Sequence, residues 1–150
     1  KIMKDKHRIA HMNAALAYAE CSTATRAKVA CLIVKDDRVI SIGYNGMPSG
    51  WSNVCENHIG NTKPEVIHAV ANAIAKLAKS NESGNNSVAF ITHAPCMECA
   101  KLLVQSGIIE VYYLQEYRDT SGLNFLDQSN VKVHKVKLKE RKDIDFGTEL

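Results

Sequence analysis

The chain has 150 residues, 45% of them hydrophobic and 23% charged, with a formal net charge of +3. Residues 1–150 therefore suffice for one domain with a full core, and the mix excludes a disordered or low-complexity chain. No apolar run approaches the roughly 18 residues of a membrane helix, and the mild positive charge suits a small anionic substrate but not nucleic acid, so neither a membrane nor a nucleic-acid partner is expected. Lys132, Lys135, Lys137, Lys139, Arg141 and Lys142 cluster late in the chain and read as the solvated face of an edge strand and tail. The five cysteines are Cys21, Cys31, Cys55, Cys96 and Cys99. An odd number points to a reducing, cytoplasmic setting and to metal or core roles rather than a disulfide framework.

Ile9, Met12, Leu16 and Ala19 recur at helical spacing and predict a first helix over residues 5–21, closed by the polar turn of Ser22, Thr23 and Thr25. Residues 29–34 read as a buried strand with Cys31 as a small core residue. Asp36-Asp37 turns the chain, and residues 39–42 return as the hairpin partner. Gly43-Tyr44-Asn45-Gly46-Met47-Pro48-Ser49-Gly50-Trp51 cannot continue a strand and opens a long loop to about Pro64. A second helix is expected over 65–79, with Ile67, Ala71, Ile74 and Ala78 on one face. Residues 88–92 form a third strand, 97–105 a third helix stopped by Ser106-Gly107, and 109–114 a fourth strand. A short helix over 122–128 leads to a fifth strand, 131–136, which alternates apolar and charged residues. The order predicts an α/β protein: a mixed five-stranded sheet with helices on both faces.

The third strand delivers Pro95-Cys96-Met97-Glu98-Cys99 to a helix start. Pro95 fixes the entrance, and the positive end of the helix favours thiolates, the metal-binding form. With His68 upstream, two cysteines and one histidine make a three-ligand zinc site with an open fourth position, the catalytic rather than the closed structural type. A thioredoxin-like redox pair is a rival, and His93 is a candidate fourth ligand for a closed site.

These residues resemble a family. His-x-Glu followed by Pro-Cys-x-x-Cys is the signature of zinc-dependent nucleoside and nucleotide deaminases. The resemblance implies a three-layer α/β/α cytidine-deaminase-like fold. It also implies a zinc-held water that attacks the ring carbon bearing the amine, and a Glu that moves the protons. Here the triplet is His68-Ala69-Val70, so Val70 stands where the family has its proton-donor Glu. Valine carries no proton, and losing a general acid–base costs about 10² to 10⁴ in rate. The expectation is a chain that binds Zn2+ and nucleotide and deaminates very slowly, if at all. Either a substitution introduced to trap a bound nucleotide or a natural loss accounts for it.

Three segments look like those of deoxycytidylate deaminases, which convert dCMP to dUMP: residues 22–30, Ile42 through Gly50, and Tyr112-Tyr113-Leu114-Gln115-Glu116-Tyr117-Arg118. Ser22, Thr23, Thr25, Arg26 and Lys28 offer hydroxyls and cations suited to a phosphate dianion. The resemblance further implies Asn45 at the deoxyribose, the Ala94 backbone at the base edge, Tyr117 at the base pocket and Arg118 at phosphate. It implies a homo-oligomer, commonly a hexamer, activated by dCTP and inhibited by dTTP, with Mg2+ accompanying the triphosphate. That effector is expected beside Gly43, Tyr44, Gly46 and Gly50. Some relatives hold a second zinc, for which Cys21, Cys55 and His58 are candidates, with His7 or His11 in reach. The alternatives are a non-catalytic nucleotide-binding regulatory subunit and a deaminase of another base.

Overall fold

A computed structural model describes residues 3–138. The expected Lys139, Arg141 and Lys142 lie outside the described residues. The elements run α1 (Asp5–Ala19), β1 (Ala30–Lys35), β2 (Arg38–Tyr44), α2 (Ala69–Ala78), β3 (Ser87–His93), α3 (Met97–Gln105), β4 (Ile108–Gln115), α4 (Ser121–Gln128) and β5 (Lys132–Lys135). The five strands form one mixed sheet in the order β2-β1-β3-β4-β5. The β1 strand is antiparallel to both neighbours, whereas β3, β4 and β5 run parallel.

Each element follows from local chemistry. Asp36 and Asp37 both adopt positive φ, 51° and 60°, the backbone that a two-residue hairpin turn demands, and Asp tolerates it better than most side chains. The five residues from Ala30 through Val34 are all buried because β1 is covered on both faces. On one face α1 lays Met12 and Ala15 against Leu32, Val34, Phe90 and Tyr112. On the other, Ala73 and Leu77 of α2, Leu103 of α3 and Leu126 of α4 pack over Ile33, Ile91 and Val111. This is the expected three-layer arrangement.

Three expectations need correction, the first being that the stretch from Gly43 ends the strand: Gly43 and Tyr44 pair with Cys31 and Ala30 and carry β2 two residues past the expected 39–42. The second helix begins at Ala69, because Ile67 is held extended by a pair of backbone bonds with Gly46, at 3.1 and 2.8 Å. Its buried face is accordingly Ala69, Val70, Ala73 and Leu77, and Ala78 points to solvent. In α1 the buried stripe is Met12, Ala15 and Ala19, while Ile9 is exposed.

Gly43 has a packing reason. A methyl group there would collide with the backbone of Ala69 and Ala73, so glycine lets β2 lie against α2. The parallel strands β3 and β4 release the chain at the same end, where α2 and α3 also begin. That convergence positions the site.

Candidate active site

His68 is the residue before the first turn of α2, with extended φ/ψ of −68° and 154°. Cys96 holds the same place on α3, at −72° and 172°, and Cys99 lies one turn further on. Two helix N-termini therefore meet, and their positive ends favour thiolate. The Nδ1 atom of His68 lies 3.4 Å from Cys99 Sγ and 3.7 Å from Cys96 Sγ. The three donor atoms all fall within 4.8 Å of one another. With usual Zn–N and Zn–S bonds, tetrahedral geometry puts nitrogen and sulfur about 3.6 Å apart, so the donor set fits one zinc ion. His68, Cys96 and Cys99 form the only such group among the described residues, and His93 does not join it. Among the described residues no fourth protein ligand joins them.

Hydrogen bonds from the Cys99 thiol and the His68 ring bring Cys96 down to about 4. The same contact pushes Cys99 up, with burial adding to it. The Cys96 contact raises His68 against the opposing effect of burial. One thiolate thus stands ready beside an imidazole and a second thiol. Cys31, wholly buried, is pushed up to about 12 by desolvation and is inert core, as expected.

The triad opens into a cavity of about 300 Å³. Val70 lines it with only 3% of its surface exposed, placing an isopropyl group beside the ligand set. Ala94 lines it too, and its amide donates to Gln115 O at 2.8 Å. Tyr117 and Arg26 complete the polar rim with Asn45. The Asn45 side chain accepts from Val29 N at 2.9 Å and donates to Ala27 O at 2.8 Å, so it also pins the chain entering β1.

The remaining expected residues divide. The Ser22 hydroxyl donates to Asn45 O at 2.8 Å and the Thr23 hydroxyl to Asn53 O at 2.6 Å, so both tie loops together. Lys28 pairs with Glu20 at 3.6 Å, and Arg118 is exposed and outside the cavity wall. Thr25 contributes its backbone amide, which is directed at Glu56. Tyr44 O accepts from Asn72 Nδ2, and the Tyr44 ring faces Lys76 at 5.7 Å. A Cβ at Gly46 or Gly50 would meet nothing, and Gly50 needs its positive φ of 85°. Cys21 is exposed, Cys55 is buried against Thr23, and with His58 they do not gather into a ligand group, so the structure does not assemble the expected second metal site.

Two residues escaped sequence reasoning. Glu56 lines the cavity and accepts from the amides of Thr25 and Arg26 at 3.0 and 3.3 Å. Gly122 lets the first turn of α4 lie directly on Pro95 and Cys96, where a Cβ would strike backbone. Neither carries a local signal, because both contacts are long-range.

The comparisons with known proteins agree with this geometry. The family model described as the cytidine and deoxycytidylate deaminase zinc-binding region matches residues 4–115. A crystal structure of dCMP deaminase from the cyanophage S-TIM5, in complex with dCMP and dUMP, superposes with a TM-score of 0.88 and 42% identity. That match covers 90% of this chain and all of that one. Human deoxycytidylate deaminase is 35% identical over 99 residues, covering 61% of this chain and 54% of its own. ComE operon protein 2 of Bacillus subtilis is 33% identical over 123 residues, covering 79% and 65%. The chain thus spans between half and two thirds of the length of these two relatives. With the family model running through both the His68 and the Cys96–Cys99 ligands, this chain belongs to the zinc-binding cytidine and deoxycytidylate deaminase family.

Proposed function

We propose that the chain is a zinc-dependent deoxycytidylate deaminase domain, hydrolysing dCMP to dUMP and ammonia, in which Val70 occupies the proton-shuttle position. The observation that carries this reading is the His68–Cys96–Cys99 triad at zinc spacing, open to a cavity walled by Val70, Ala94, Asn45 and Tyr117. The 42% identity to a dCMP deaminase solved with dCMP and dUMP supports the substrate.

Each residue then has a part. His68, Cys96 and Cys99 hold zinc, which when bound supplies a Lewis acid that lowers the pKa of water. The Ala94 carbonyl accepts the amine of cytosine, and Tyr117 covers the base. Asn45 faces the deoxyribose, and Arg26 with the Thr25 and Arg26 amides takes the phosphate; Arg118 adds charge to a phosphate from a neighbouring subunit. Val70 excludes water from the place where a carboxylate would carry protons, so turnover is slower by about 10² to 10⁴.

The finer reading extends to regulation. The domain assembles as a hexamer, with dCTP activating and dTTP inhibiting. The triphosphate, with its Mg2+, lies along Gly46 and Gly50, where the backbone is open to approach. The five cysteines, all free, suit the cytoplasm.

Val70 also favours a second reading, a nucleotide-binding regulatory subunit that keeps fold and metal without catalysis. Val70→Glu separates the two. On the zinc-loaded variant, with dCMP, cytidine, dCTP, guanine and adenosine as substrates, dCMP turnover is expected to rise at least about 100-fold over the parent. An inert variant with full zinc supports the regulatory subunit. Preference for an unphosphorylated substrate removes the phosphate role of Arg26.

A further inference from the structure

Among the described residues, Glu56 is the only acidic one lining the cavity. One of its carboxylate oxygens, Oε2, accepts from two successive backbone amides, Thr25 N at 3.0 Å and Arg26 N at 3.3 Å. Consecutive amides converging on one oxygen make a concave anion site. Partial desolvation pushes the Glu56 carboxyl up, but the two amides, the Thr25 side chain and the Arg26 charge outweigh it and hold it below the usual carboxylate range. The group is therefore an anion at neutral pH, held by donors of the kind that recognise phosphate.

The surroundings let it leave. Glu56 pairs with Thr62 through the backbone, and between them Asn57 closes the turn by bonding Asn61 O and accepting from the Ile59 and Asn61 amides. That turn is satisfied without the Glu56 side chain, so rotating the carboxylate out breaks only its two bonds to the Thr25 and Arg26 amides, which an incoming anion can replace. Ser22 and Thr23, the obvious hydroxyl donors nearby, bond to Asn45 and Asn53 instead.

We infer that Glu56 is a resident anion in the phosphate subsite: its carboxylate occupies the Thr25 and Arg26 amides, and the phosphate monoester of a substrate displaces it. The inference rests on the deoxynucleotide reading of the cavity. It makes Glu56 an affinity-setting residue that competes with the phosphate group. A dianion with three oxygens outbids one carboxylate for the same amides, and a neutral nucleoside leaves the carboxylate in place.

The test uses the zinc-loaded chain, labelled with nitrogen-15, titrated with inorganic phosphate, dCMP and deoxycytidine. Phosphate and dCMP are expected to shift the Thr25 and Arg26 amide resonances, and deoxycytidine to leave them unmoved. Glu56→Gln, isosteric and uncharged, replaces a charge-assisted contact by a neutral one, so dCMP binds about five-fold tighter and deoxycytidine within about two-fold of the parent. Glu56→Ala, which clears the amides entirely, tightens inorganic phosphate in the same direction and guards against an effect peculiar to glutamine. Weaker dCMP binding in both variants overturns the inference, as does dCMP binding that leaves the two amides unmoved; in the latter case the deaminase reading stands. If phosphate moves the amides but the parent binds no dCMP, the deaminase reading fails and the anion subsite survives.

Discussion

Asn45 shows how a single side chain can serve two ends. Its amide closes two hydrogen bonds to the backbone at Ala27 and Val29, just before β1, while its position on the cavity wall leaves it within the site. A residue that only touched sugar would change stability by less than about 0.5 kcal/mol when truncated. Because Asn45→Ala leaves a donor and an acceptor unmet in a half-buried turn, it is expected to cost about 2 kcal/mol in urea unfolding of the ligand-free protein. Val70 makes the opposite case. It sits comfortably among Ala69, Ala73 and Ile91 in the core cluster, so packing gives no hint that the family's chemistry wants a carboxylate at that position. The proton transfer that the proposed function places at that position is a property that burial and shape do not register.

Helices α2, α3 and α4 together set the ligand geometry. The first two contribute their N-termini. The third contributes Gly122, whose missing side chain allows close contact with Pro95 and Cys96. Gly122→Ala forces α4 off that turn. Stability should fall by about 1–3 kcal/mol, the usual cost of overpacking, and zinc affinity by at least about ten-fold as Cys96 shifts. Chelator competition and urea midpoints on the same variant check both numbers. Local signals explain why α3 agrees with its expected span from Met97 to Gln105: Pro95 stands at its entrance and Ser106-Gly107 at its exit. The first four residues of the expected second helix, by contrast, are outside α2, because the bonds between Gly46 and Ile67 join segments twenty-one positions apart. No window on residues 65–79 contains Gly46.

At the scale of the molecule, the sheet was readable because apolar runs and turn residues alternate clearly along the chain, and because burial of β1 on both faces appears as an unbroken apolar stretch. The metal triad was readable for a different reason: Cys96 and Cys99 are spaced by one helical turn, and His68 lies in a recognisable motif. Glu56 was not, since its partners Thr25 and Arg26 stand thirty-one and thirty residues away and only the folded chain brings them together. Nor could spacing reveal that Ser22 and Thr23 use their hydroxyls to bind loops, or that Cys21, Cys55 and His58 stay apart.

An open, three-ligand zinc centre is read most directly by X-ray absorption at the zinc edge of the purified protein. One zinc per chain is expected, with two sulfurs at about 2.3 Å, one nitrogen at about 2.0 Å and one oxygen, and with a sulfur lost in Cys99→Ser. A protein without zinc, or a zinc with a second nitrogen from His93 in place of the oxygen, would contradict it.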